Sequence, residues 1–469
     1  MEMEKERRRV GLVTGGVLMG LVLSALDQTI VSTAMPTITK ELGGLTLYSW
    51  VFAIYMLTST TSMPIYGKMA DLFGPKKMYL IGLFLFLMGS LLCGMADSMT
   101  GLIVARGVQG LGAGALMPVA FIIVGEVYPP EKRGKFQGLF GAVFALTSIL
   151  GPSLGGILVE HLPWGWIFFI NLPIGIAAFL ILALAFRNQR HYDKKPVIDW
   201  YGASSLSVAI ILILLSLVMV GMEYKIGLGG AGILLLGFFI WIETKAKEPL
   251  LPLSLFRIPA IGYGNLVGFL VSAALFGAIA YIPLFVQGVR GASPSETGFL
   301  LVPLMLSAAI ASTVGGSWMA KVSFRAILIP SLLIMATGFF LLSTIDAGTT
   351  NTQLIIYMIV TGLGMGAIYP ALGTAAHSAV KPEDRGVAMS TSQLFRSLGG
   401  TIGISVFGTI VDGGMRAGLV FSEALQSVFI TGLILIGISL IASVLLGNIR
   451  LLDKEPRHSH TSNSGVPKQ

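Results

Sequence analysis

Charge is scarce in this chain. Asp, Glu, Lys and Arg make up 12% of its 469 residues, about half the usual share of a globular protein, and that deficit excludes an ordinary soluble domain. Cysteine is nearly missing as well. The lone Cys93 rules out an intramolecular disulfide and leaves the redox compartment open; lying in an apolar run, it reads as a small packing residue. No polar stretch exceeds loop size, and no glycine loop with its nucleotide-binding lysine occurs, so ATP is not the energy source and an enzyme is not expected. His458 and His460 sit in a polar tail that solvation explains, so neither a metal nor a cofactor is expected.

What is present is apolar. Hydrophobic residues form 54% of the chain and the mean hydropathy is +0.83, the signature of an all-α, polytopic membrane protein. A span takes about 20 apolar residues, and about fourteen such stretches begin near 11, 46, 78, 100, 134, 165, 200, 226, 260, 297, 324, 352, 387 and 425. The start of the chain, with Lys5, Arg7, Arg8 and Arg9 before an apolar run, imitates a secretory signal. Its length, and the many spans that follow, make it an uncleaved first helix. With the N-terminus inside, most of the 31 Lys and Arg residues fall on the cytoplasmic side, including Lys68, Lys132, Lys135, Arg187, Arg190, Lys194 and Lys195. Both termini are therefore expected in the cytoplasm, with the chain crossing the cell membrane many times. The net charge of +8 is that loop charge, and nucleic acid is not an expected partner.

An internal repeat organises the chain. Val108, Gly110, Leu111, Gly112, Gly114, Ala115 and Pro118 return 252 residues later as Val360, Gly362, Leu363, Gly364, Gly366, Ala367 and Pro370. The same offset carries Pro130, Glu131, Arg133 and Gly134 onto Pro382, Glu383, Arg385 and Gly386. Both copies run in the same direction, as in a transporter made of two six-helix halves with a site between them. The expected order is a cytoplasmic N-terminal segment (1–10), a six-helix half (11–187), a linker (188–199), an inserted two-helix hairpin (200–245), a linker (246–259), a second six-helix half (260–451) and a disordered cytoplasmic tail (452–469).

Against this apolar background the ionisable residues stand out. Asp27 lies deep in the first span, where a carboxylate costs about 2.5 to 3.5 kcal/mol to insert and usually serves a proton, ion or substrate. Counting about 1.5 Å per residue, Asp27 stands roughly 24 Å from the inner start of its span and Arg106 roughly 21 Å up, in a core of about 30 Å. The two can meet, directly or through Gln109. The repeat puts Met358 opposite Arg106, so that charge belongs to one half. A carboxyl group in an apolar cavity prefers to be protonated and a neighbouring guanidinium prefers it ionised. Alternating access that changes both influences would load a proton on one side and release it on the other. The plain alternative for Arg106 is an arginine near the outer boundary that snorkels or binds helix carbonyls.

Other positions suggest motion or cargo. Gly110, Gly112 and Gly114, then Gly151, Pro152, Gly155 and Gly156, allow helices to approach and slide, or are ordinary membrane packing. Gly67, Asp71, Gly74, Lys76 and Lys77 make a charged turn after the second span. With Glu126 and Arg133 it could form an ion-pair latch that holds one conformation, or be only an inner anchor. By depth, Tyr55, Gln109, Phe144, Asn265, Tyr281, Tyr369, Gln393 and Arg396 are candidate cargo-lining residues. For Arg396 three readings stand: a partner for an anionic group, for a carbonyl, or a support of the helix interface. Asp412, Glu223 and Glu243 fall near span ends, where solvation accounts for them. Without a second deep carboxylate, neutral or monocationic cargo is expected over dications.

In order along the chain, these segments resemble the major facilitator superfamily, in its fourteen-span drug:proton antiporter branch. Leu26, Asp27, Thr29, Ile30, Val31 and Ala34 to Pro36 resemble that branch's first-span signature, and Gly67, Asp71, Gly74, Lys76 and Lys77 the superfamily's loop motif. Arg106, Gln109, Gly110 and Gly112 match the span associated with proton transfer; Gly151, Pro152, Gly155 and Gly156 match the one associated with antiporters. Trp164, Trp166, Phe168, Asn171, Pro173 and Gly175 resemble the sixth span, and Asp199 with Gly202 the start of the seventh. Gly165 stands where a basic residue belongs, and Met319 to Arg325 lacks the second loop motif's Asp. The resemblance implies a proton-coupled antiporter exporting small hydrophobic or amphipathic compounds, acting as a monomer in the lipid bilayer on the proton motive force. The competing readings are a lipid or glycolipid flippase or a dedicated metabolite exporter of the same fold, and, less favoured, an uptake symporter.

Overall fold

The computed structural model describes residues 2–43, 47–128, 154–186, 199–218, 222–246, 249–288, 294–319, 321–346 and 348–447. Between 128 and 154 it describes only Phe136, Leu139, Val143, Leu146, Thr147, Leu150 and Gly151. Arg133, Phe144, Pro152 and the tail 452–469 lie outside these residues.

Every regular element among them is helical. A chain this apolar must satisfy its backbone hydrogen bonds within each segment, and helices do so. The first group is α1 (Glu2–Leu42), α2 (Tyr48–Phe73), α3 (Pro75–Gly94) and α4 (Met99–Val127). There follow α5 (154–161), α6 (Trp166–Phe169) and α7 (Asn171–Ala185). A hairpin of α8 (Trp200–Val218) and α9 (Met222–Glu243) comes next. The last group is α10 (Pro259–Gly288), α11 (Pro294–Trp318), α12 (Phe324–Leu342), α13 (Asn351–Gly366), α14 (Ile368–Ala379), α15 (Arg385–Arg416) and α16 (Phe421–Leu445). Among the described residues, eleven helices are long and apolar enough to cross a membrane, and α8 contains a shorter apolar one. Missing from those eleven is α2, whose middle carries the polar run Thr58 to Ser62.

Helix ends follow local chemistry. The Ser98 hydroxyl accepts from the Gly101 N–H at 3.2 Å to start α4, and Thr350 and Gln353 form a reciprocal capping box at α13. Gly74, at φ +92°, makes the turn from α2 into α3.

The repeat is visible in packing. A β-carbon at Gly110 would strike Thr58 of α2 and one at Gly112 the backbone of Gly82 and Phe86 of α3. In the second copy, Gly362 meets Ser307 of α11 in the same way and Gly364 the backbone of Met335 of α12. Each glycine-bearing helix thus wedges between two partners at backbone distance. Gly112→Ala is expected to cost about 1–3 kcal/mol by overpacking. Gly156→Ala, where a β-carbon meets nothing within 4 Å, should leave stability unchanged; thermal unfolding of the purified variants in detergent checks both.

The copies diverge at their prolines. α4 runs unbroken through Pro118, whereas the second copy divides into α13 and α14 at Ala367, just before Pro370. Proline cannot donate to the carbonyl four residues back, so the backbone is free to part there.

The hairpin lies across the α2–α15 seam. Leu206, Ile210 and Leu214 of α8 and Phe239 of α9 share one apolar cluster with Leu57 of α2 and Leu394 of α15. Its two ends are tied down. Asp199 accepts from the Gly202 N–H at 2.8 Å, and Glu243 accepts from the N–H groups of Leu250 and Leu251 at 3.2 and 3.1 Å. Glu243 is only 5% exposed, which corrects the expectation that solvent accounts for it.

Candidate functional site

Asp27 on α1 and Arg106 on α4 form a buried ion pair, Oδ2 to Nη1 at 2.5 Å, and each residue is 1% exposed. Gln109, one turn along α4, joins both: its Nε2 donates to Asp27 Oδ1 at 2.8 Å, and its Oε1 accepts from Arg106 Nη1 at 2.8 Å. Asn171 of α7 donates to Asp27 Oδ1 at 3.4 Å and to Ser90 Oγ of α3 at 2.9 Å. The guanidinium lies 4.1 Å above the Tyr55 ring of α2. One carboxylate therefore gathers donors from α4 and α7, and the site is closed by α2 and α3. A charge pair this deep needs its remaining lone pairs and protons matched as well, and here both Asp27 oxygens receive donors.

The structure brings Asp27, Arg106 and Gln109 together. It also places Tyr55 and Gln109, considered above as cargo residues, in this cluster. Ser90 and Asn171 were not singled out as site residues. Asn171 had a signal, an amide within an apolar span; Ser90, a small hydroxyl in a membrane helix, had none.

A second polar group lies in the second half. Asn265 of α10, Tyr369 of α14, and Gln393 and Arg396 of α15 line a cavity of about 20 Å³ with Ser392, closed from the first half by Phe121. Such a space holds about one water. Arg396 stacks on the Tyr369 ring at 4.0 Å, and the Tyr369 hydroxyl is hydrogen-bonded to Ser272 at 2.9 Å. Four of the cargo candidates thus meet at one place. Tyr281 does not; its hydroxyl donates to the Ile404 carbonyl at 3.2 Å within the second-half core.

The charged turn is placed between the halves. Asp71 accepts from the Gly386 and Val387 N–H groups at 2.7 and 2.8 Å, so its carboxylate caps the first turn of α15. Gly67 sits against Gly386 and Ser390 with no room for a β-carbon, and midway along the seam Thr60 meets Ser397 at 3.2 Å. The described contact of Asp71 is with a helix end; Arg133 of the suggested latch lies outside the described residues. Lys76 donates to the Ala183 carbonyl at 2.6 Å, bracing the first half internally. Lys77 is exposed beside the Phe73 ring. Glu126 is half-buried near the end of α4. Gly151 packs on Thr29 and Gly155 on Ile30, both of α1, whereas Gly156 touches no neighbour there.

The Major Facilitator Superfamily family model matches residues 17–288 and 264–468. The chain belongs to the Major Facilitator Superfamily. This superfamily member is 41% identical over 428 residues to the Multidrug transporter protein MdtP of Bacillus subtilis (strain 168), covering 90% of this chain and 78% of that protein. It is 40% identical over 401 residues to Multidrug resistance protein 3 of the same organism, covering 84% and 78%. The crystal structure of the human organic anion transporter MFSD10 (TETRAN) superposes with a TM-score of 0.69 at 18% identity, over 94% of this chain and 99% of that one; that likeness shows the fold. The chain is a multi-pass membrane transporter of this superfamily and not an enzyme.

Proposed function

We propose that this transporter is a proton-coupled antiporter that exports small hydrophobic or amphipathic compounds across the cell membrane. Its fourteen spans form two six-helix halves, 11–187 and 260–451, with the 200–245 hairpin inserted and both termini in the cytoplasm. It works as a monomer, without a cofactor, on the proton motive force. The observation that carries the reading is the buried Asp27–Arg106 pair. The names of the Bacillus relatives support the drug-efflux part of it.

The network suggests how a proton would be used. Protonating Asp27 would cancel its attraction for Arg106. The guanidinium has other acceptors at hand: Gln109 Oε1 at 2.8 Å and the Val51 carbonyl at 3.5 Å, with the Tyr55 ring beneath it. The cation can therefore stay buried while the bond from α1 to α4 is released, and α1 becomes free to move against α3 and α4. Proton entry is also favoured by the membrane potential, worth about 2.3 kcal/mol per charge per 100 mV.

Reconstituted protein with an imposed pH gradient tests the reading. Proton influx accompanied by cargo efflux is the expected result. Cargo and protons moving the same way would establish a symporter. Movement of labelled lipid without drug transport would establish the flippase.

A further inference from the structure

Each half contains one deep arginine stacked on a tyrosine: Arg106 on Tyr55 and Arg396 on Tyr369. Among the described residues no Asp or Glu pairs with Arg396, and its one described neighbour of this kind is the Tyr369 ring. The repeat offset puts Phe144 where the second copy has Arg396, so the fold does not require a cation there. A half-buried guanidinium whose described partner is a ring face leaves the N–H edges of its fork open to an acceptor.

The same cavity holds unused hydrogen-bonding groups. Asn265, 3% exposed, accepts from Ser392 through Oδ1 at 2.8 Å, but its Nδ2 donor is buried without a partner. Gln393 Oε1 is also buried without one. Buried polar atoms are rarely left unmatched, and these two line the space beside Arg396. Phe121 of the first half closes that space, so parting the halves enlarges it.

We infer that this chamber is the cargo site and selects for acceptors: Arg396 and Asn265 bind compounds that join an apolar body to a carboxylate or similar anionic oxygen group, in preference to cations. This rests on the export reading above and narrows it. The expectation of monocationic cargo came from the scarcity of deep carboxylates. The described carboxylate at depth, Asp27, is committed to Arg106, Gln109 and Asn171, so a cation entering the chamber would meet Arg396 as a like charge. A carboxylate would receive charge-assisted bonds from the guanidinium edge and one from Asn265 Nδ2, with the apolar body against Phe121 and Leu372.

The test is equilibrium binding to the full-length protein in phosphatidylcholine nanodiscs, with no gradient. Three probes share one body: pyrenebutyrate, its methyl ester, and the corresponding pyrenylbutyl trimethylammonium. Wild type is expected to bind the carboxylate about tenfold more tightly than the ester, the gain of a charge-assisted hydrogen bond, and the ammonium most weakly. Arg396→Gln should bring the carboxylate-to-ester ratio within about twofold, while Arg396→Lys, which keeps the charge but loses the stacked fork, should fall between wild type and Arg396→Gln. Wild type binding the ammonium as tightly as the carboxylate, or an unchanged ratio in Arg396→Gln, overturns the inference. Should Arg396→Gln not fold, the wild-type ranking still decides, and Asn265→Leu should narrow the ratio. Carboxylate-selective binding without pH-driven transport would sink the antiport reading alone; pH-driven transport without that selectivity would sink this one alone.

Discussion

Asp27→Asn is expected to reduce pH-driven transport to the level of empty liposomes and also to weaken the fold. Asparagine keeps the shape and one acceptor oxygen but cannot carry a proton across. It also leaves Arg106, 1% exposed, as a buried charge without its counter-ion. Removing one member of such a pair costs about 3–5 kcal/mol, visible as a lower unfolding temperature in detergent. The double variant Asp27→Asn with Arg106→Gln separates the two effects. It removes both charges, so most of the stability should return, while transport stays absent. An Asp27→Asn protein that still pumped uphill on a pH gradient would move proton coupling to another group.

The next largest effect belongs to Asp71. Its carboxylate accepts two backbone N–H groups at the start of α15, and this caps a helix belonging to the other half. Hydrogen bonds to a charged group are worth about 1.5–3 kcal/mol each, and a negative charge at a helix N-terminus adds a few tenths more. Water would satisfy the same groups once the halves part, so the net preference is about 2–3 kcal/mol. Asp71→Ala should therefore shift the conformational balance toward the state with α2 and α15 apart by roughly 30- to 150-fold. Spin labels at Lys77 and Lys381, both exposed, on a Cys93→Ala background would report it by electron–electron distance measurement. Asp71→Asn should fall between, with one acceptor but no charge. Superimposable distance distributions for wild type and Asp71→Ala would show that the cap has no part in the switch.

How much was legible depended on what kind of partner each residue had. Asp27 and Arg106 could be matched from sequence because depth along a helix is countable and ionisable groups in apolar spans are rare. Rotation about the helix axis is not countable across separate helices. That is why Tyr55 and Gln109 were at the right depth for cargo yet face the ion pair, and why Tyr281 turned into the core. The importance of Asp71 could be read from its charge and its glycine neighbours. Its contact could not, because backbone N–H groups at a helix start have no residue signature. The glycine contacts recur in both copies because small residues act the same way wherever backbones touch. The split at Ala367, which places Tyr369 beneath Arg396, was hidden because Pro118 at the equivalent point leaves α4 continuous.

One last consequence comes from where α8 and α9 rest. Their cluster includes Leu57 from one half and Leu394 from the other, so the hairpin is seated on both moving bodies. Any parting of α2 from α15 has to drag that greasy seat along one of them. With the hairpin packed over this seam, an oily compound wandering in the bilayer is expected to find its doorway on the far side.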